Sequence, residues 1–226
     1  MIAIPNSSRR IKLPGLASLF AIGLLVACEK PDSDKVQALV VQQSSNPCLV
    51  AHSYVAGESS KNDEELFSAA AAGDVRRVEQ SIADGANVDA IGALKRTPLF
   101  AAAFCDRPAV ATLLIDKGSQ VNLKDANGMS SLHAAVIMGG ADTAKVLVGK
   151  GADINIRDAT GRTPLHVAAA TDQTSMLELL LERGANAVAR DRGGLTAASL
   201  ALENGHAKPG AIILKWQEKQ KALRHK

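Results

Sequence analysis

Two histidines, His133 and His166, stand 33 residues apart. A fold that brought two imidazoles together could use them to ligate a metal ion. Three aspartates, Asp125, Asp158 and Asp191, repeat at the same interval and could gather into an acidic site. Cys48 and Cys105 could pair as a disulfide in an oxidising compartment. His52 and His206 are isolated and read as surface residues. No motif that organises such groups for chemistry is present: the chain has no CxxC, HExxH, GxSxG or GxxxxGK pattern. The element that repeats every 33 residues must therefore be identified before any of these side chains is given a role.

Written in rows of 33, the chain keeps register without a slip. Thr97-Pro98-Leu99, Ser130-Ser131-Leu132, Thr163-Pro164-Leu165 and Thr196-Ala197-Ala198 share columns, as do Gly85, Gly118, Gly151 and Gly184. A threonine hydroxyl caps a helix start, and a proline at the next position lacks an N–H the helix could not use. Leu165, Ala168 and Ala169 follow at helical spacing, and their small neighbours let helices approach closely. A second helix runs through segments such as Ser175 to Leu181, and Gly184 ends it in the left-handed conformation. The polar stretch from Asp153 to Gly161 turns the chain back, its aspartate placed to accept turn N–H groups. Each row reads as helix, turn, helix and hairpin-like loop.

Thr163-Pro164-Leu165-His166-Val167-Ala168-Ala169, continued by Gly184-Ala185-Asn186, resembles the signature of the ankyrin repeat. The resemblance covers residues 61 to about 217. It implies an all-α solenoid of about five 33-residue helix–turn–helix repeats, with a concave face built from hairpin tips and first helices. It also implies that His133 and His166 tie neighbouring hairpins by hydrogen bonds rather than hold a metal. Row 1 departs with Glu64-Glu65-Leu66, as an N-terminal cap would. Row 2 has Gly92 and Lys95 where its hairpin wants Asp and Gly. Row 5 has Ala197 for proline and no closing glycine, and Trp216 is placed to cover the last interface.

The N-terminus assigns a compartment. Arg9, Arg10 and Lys12 precede an apolar stretch from Leu13 to Ala27, too short to cross a bilayer as a helix, which needs about 20 residues. This pattern is that of a secretory signal. Leu25-Val26-Ala27-Cys28 resembles the lipobox of bacterial lipoproteins, which implies cleavage before Cys28 and acyl chains on that cysteine. An uncleaved anchor and an ordinary signal with an incidental cysteine are the alternatives. Ser8-Arg9-Arg10 hints at a twin-arginine signal, but Lys12 stands where that motif wants an apolar residue. Glu29 follows the cysteine; in enteric bacteria an aspartate there retains a lipoprotein at the inner membrane, so the expectation is an outer-membrane lipoprotein facing the periplasm. The expected organisation is residues 1–27 as signal, 28–60 as lipidated tether and packing segment, 61–217 as repeats, and 218–226 as a basic tail.

The chain of 226 residues carries 26 basic and 23 acidic side chains. Three basic residues and no acidic one lie in residues 1–27, so the remainder has 23 of each sign. That balance argues against nucleic-acid binding. Aromatic residues make up 3% of the chain, which argues against an aromatic-lined cofactor pocket. No cofactor, metal or small-molecule substrate is expected, and the chain does not read as an enzyme.

Function then falls to the surface. In the ankyrin family, partner contacts gather at hairpin tips and at the exposed ends of first helices. Carried onto this chain, that implies Leu94, Arg96, Phe104, Cys105, Asn127, Met129, Ile137, Met138, Thr160 and Arg162 as partner-binding residues. Leu94, Phe104, Met129, Ile137 and Met138 would make an apolar patch, which commonly marks a binding site. Lys124, Arg157 and Arg190, each 33 apart, form a basic column suited to an acidic partner edge or a solvated stripe. The expected partner is another protein: a secreted toxin or lipase effector neutralised by an inhibitor or immunity protein, or a resident envelope enzyme served by a scaffold. The membrane is reached by the lipid anchor alone.

Overall fold

Each 33-residue row encodes two short helices, and the computed structural model, which describes residues 60–224, contains them all. Ten helices follow in order: α1 (Lys61–Ala72), α2 (Val75–Ala83), α3 (Pro98–Phe104), α4 (Pro108–Asp116), α5 (Ser131–Met138), α6 (Ala141–Gly149), α7 (Pro164–Ala170), α8 (Thr174–Glu182), α9 (Ala197–Glu203) and α10 (Ala207–Arg224). No strand occurs among the described residues. Cys28, Cys48 and the signal and tether of the sequence reading lie outside them.

The start signals act as their chemistry demands. Thr97 and Thr196 accept the N–H groups of Phe100 and Ser199 at 3.2 Å each. Pro98 and Pro164 open α3 and α7. Row 1 begins one turn before the register requires, because Ser60 and Asp63 form a reciprocal capping box at the head of α1. At the other end, α10 runs through residue 218 to Arg224 with no break, so the segment expected as a tail is largely helical.

Two leucine columns hold the rows together. Leu66, Leu99, Leu132 and Leu165 occupy one position of the first helices, and all are at most 1% exposed. Leu114, Leu147, Leu180 and Ile213 occupy one position of the second helices and are fully buried. Alanines at Ala69, Ala102, Ala135 and Ala168 keep the first helices close. The apolar core therefore runs unbroken from Leu66 to Ile213. Row 1 has Ser81 in the second column, and its hydroxyl donates to the Arg77 carbonyl at 2.8 Å. Trp216 packs on the last row, as the sequence suggested.

Close approach also constrains the hairpins. Gly128 has φ 74°, and a Cβ there would lie 2.6 Å from the backbone nitrogen of Ala159 in the next row. Gly85 has φ 95° with open space around it. Gly85→Ala should therefore cost only the left-handed backbone penalty, about 1 kcal/mol. Gly128→Ala should cost at least about twice as much, because the neighbouring hairpin must also shift. Urea unfolding of the two variants checks this; equal losses would show that the hairpins are not packed closely.

Candidate protein-binding face

The aspartates of the repeat build the hairpins. Asp125 Oδ1 accepts the N–H groups of Asn127 and Met129 at 2.8 and 2.9 Å. Asp158 accepts those of Thr160 and Arg162 at 2.8 and 2.9 Å, and Asp191 accepts that of Leu195 at 3.0 Å. Successive hairpins are joined by main-chain bonds: Ala126 N–H donates to the Leu94 carbonyl at 2.7 Å, Ala159 to Asn127 at 2.9 Å and Arg192 to Thr160 at 2.9 Å. The three carboxylates are thus turn acceptors along an edge, and they do not converge. Among the described residues, no three His, Cys, Asp or Glu gather as metal ligands.

Both repeat histidines are fully buried and bridge rows. The His133 Nδ1 accepts from the Ser130 N–H at 3.3 Å, so its proton sits on Nε2, which donates to the Arg162 carbonyl at 3.2 Å. His166 repeats the arrangement: Nδ1 accepts from Thr163 N–H at 3.3 Å, and Nε2 donates to Leu195 at 3.1 Å. Both nitrogens of each ring are engaged by the fold. Burial pushes both pKa values below the usual histidine range, and the carbonyl bonds oppose that shift only in part. Rows 1 and 2 place Phe67 and Phe100 in this column instead. Phe67 fits because Gly92 replaces the hairpin aspartate; a Cβ there would stand 3.0 Å from the ring. Phe100 lies under the Arg96 guanidinium, 4.9 Å from its ring centre.

The basic column is woven into the backbone. Lys124 Nζ donates to the Arg157 carbonyl at 2.8 Å. Arg157 donates to Gly161 and Arg190 at 2.8 and 2.6 Å, and Arg190 donates to Gly194 at 2.7 Å. These exposed cations reach along the array, row to row, and satisfy hairpin carbonyls. Their regular spacing thus has a folding explanation as well as the charge it presents to solvent.

The residues expected at the partner face separate by exposure. Leu94 is 49% exposed at a hairpin tip, in the left-handed region at φ 56°. Met138 is 43% exposed at the end of α5, and Ile137 beside it is half-buried. Thr160 is exposed, and Asn127 is half-buried. Phe104 and Met129 are half-buried against the core. Cys105, expected on the surface, is 7% exposed and packs with Phe67, Ala71, Ala90 and Ala101. Arg96 and Arg162 face inward across rows, with guanidinium nitrogens 3.6 Å from Asp125 and Asp191. The 29-residue offset of those two pairs was a signal in the sequence, because an Arg in one row meets the Asp of the next. Asp106 and Gln173 also escaped the sequence reading. Asp106 accepts from Thr143 Oγ1 at 2.7 Å, and Gln173 donates to the Ile137 carbonyl at 2.9 Å, each linking one row's turn to its neighbour.

The histidine geometry sets a pH dependence. Each folded pKa lies below the model value of 6.5, so the unfolded chain binds protons that the folded chain does not. Stability is complete above about pH 6.5 and falls as pH drops below it, by up to about 1.4 kcal/mol per histidine per pH unit. Urea midpoints at pH 7.5 and 5.5 should show this loss, and the double variant His133→Gln/His166→Gln should lack most of it. A flat wild-type profile would contradict the assignment of buried neutral rings.

Residues 66–158 and 150–220 match the family model for ankyrin repeats in three copies. A stretch of 59 residues is 37% identical to an ankyrin repeat-containing protein of Saccharomyces cerevisiae, over 26% of this chain and 12% of that protein. The chain therefore covers far less than two thirds of that relative. Ankyrin repeats form protein–protein interaction modules, which fits an array whose repeated polar groups are committed to its own fold. On the family match, the leucine columns and the hairpin ladder together, the chain belongs to the ankyrin-repeat family.

Proposed function

We propose that this chain is a lipid-anchored protein of the bacterial envelope that binds another protein through its hairpin and first-helix face, and that it acts as an inhibitor or immunity protein against a secreted toxin or lipase. The observation that carries the binding reading is the apolar exposure at Leu94 and Met138. The fold uses the repeat's polar groups to join rows, yet leaves these two side chains, with Ile137 beside Met138, in water. Exposed methionine and leucine at a rigid edge suit a partner's apolar groups. The envelope reading is supported by the basic leader and the Leu25-Val26-Ala27-Cys28 sequence. Anchoring at a membrane would place an inhibitor where a membrane-attacking effector works. No helix among the described residues is long and apolar enough to cross a membrane.

The chain beginning at Glu29, immobilised and exposed to periplasm and secreted proteins of the native strain, should retain one hydrolase in stoichiometric amount and silence it. Leu94→Glu/Met138→Glu should weaken that capture by at least about 100-fold while leaving helicity and melting unchanged. Cys28→Ala in the full chain should release it from membranes without affecting capture. A retained partner that keeps or gains activity would replace the inhibitor with a scaffold for a resident envelope enzyme. A double variant that unfolds would place Leu94 and Met138 in the core and remove the proposed face.

A further inference from the structure

Cys105 is unlike every other member of its register column. Ala72, Met138, Thr171 and Asn204 occupy the same position in the other rows, and all are exposed. Cys105 is buried, at the edge of a second apolar cluster that is separate from the main core. That cluster holds Phe67, Ala71, Ala90, Ala101 and Cys105, with half-buried Phe104 against it. Exposed Ile91 and Leu94 belong to the same two rows. All three described phenylalanines, Phe67, Phe100 and Phe104, also lie there. An unusual apolar surface is thus confined to the end of the array where the described chain begins.

Ser60, the cap of α1, is that beginning. Twelve residues before it stands Cys48, at the head of the apolar segment Cys48-Leu49-Val50-Ala51-His52-Ser53-Tyr54-Val55. Twelve extended residues reach up to roughly 40 Å. From the head of α1 to the end of α3 the path is about 18 Å along one 12-residue helix and about 10 Å across to the next. The segment can therefore reach the cluster with slack, and Cys105 lies at the C-terminal cap of α3, on that path.

We propose that residues 48–55 form a strap across the second apolar cluster of the first two rows, fastened by a disulfide between Cys48 and Cys105. The two thiols lose two protons and two electrons, one S–S bond forms, and a disulfide oxidant of the thiol–disulfide exchange class is reduced to two thiols. Leu49, Val50, Tyr54 and Val55 supply apolar surface to Phe104 and its neighbours. The strap covers the Phe104 edge and leaves Met138, in the next row, to a partner. It stands apart from the inhibitor reading, since a bridged chain can lack a partner and an unbridged one can have one.

The test uses the full chain isolated from an oxidising bacterial envelope. It is unfolded in concentrated guanidinium without reductant, so that burial protects no thiol, then alkylated, digested and mapped by mass. The Cys48 and Cys105 peptides should be joined and unalkylated, and should separate on reduction. Alkylation of either cysteine, or linkage of either to Cys28 or another protein, would overturn the proposal. Melting supplies a second reading. Reductant should lower the wild-type Tm by several degrees, Cys48→Ser should show the same loss without reductant, and reductant should add nothing further in that variant. A wild-type Tm indifferent to reductant would mean that no strap restrains these rows.

Discussion

A pair of helices seven to nine residues long cannot stand alone in water, and the whole molecule is arranged around that fact. Each pair has one apolar face, and only another pair of the same shape can cover it. The leucine columns Leu66–Leu165 and Leu114–Ile213 are the outcome: one large side chain per helix, repeated in register and buried against its neighbours. Stability becomes a sum of contacts between adjacent rows rather than the property of one central core. The ends are then the weak points. Row 1 answers with a longer, capped first helix, and row 5 with the long α10 and Trp216.

The same constraint decides what the polar residues do. Hairpin carbonyls and N–H groups would be left unsatisfied at each row boundary, and the chain sends a side chain to each of them. Histidines bridge to carbonyls 29 residues on, and the basic column bridges 33 residues on. Aspartates hold the turns, while Asp106 and Gln173 fasten the opposite ends of the helices. Groups that resemble catalytic or ligand-binding residues in isolation are thereby committed to the fold. What is left for recognition is the small apolar remainder that no row boundary uses, at Leu94 and Met138.

The architecture was legible because each column repeats a physical requirement. Thr-Pro, the leucines and the glycines each answer a local need, and five rows state it repeatedly. The site was only partly legible. Register told which positions lie near the hairpin face but not how far each side chain is exposed. Cys105 and Met138 share a column, yet one is buried and the other is not. The basic column carried the same sequence signal whether its cations faced a partner or a carbonyl, and only geometry separates the two. Row 2 shows why departures matter: Gly92 and Phe67 are each irregular alone, and together they form one packing unit.

The most direct test of the coupled array is native-state hydrogen exchange at three hairpin amides, Ala126, Ala159 and Arg192, whose N–H groups bond to the preceding row. If row-to-row coupling governs the structure, these loop amides open only when the helices beside them do. They should then exchange with the same free energy as the buried amides of α5 and α7. Exchange at the rate of an open loop, with those helices still protected, would show that the hairpins are not part of the coupled array.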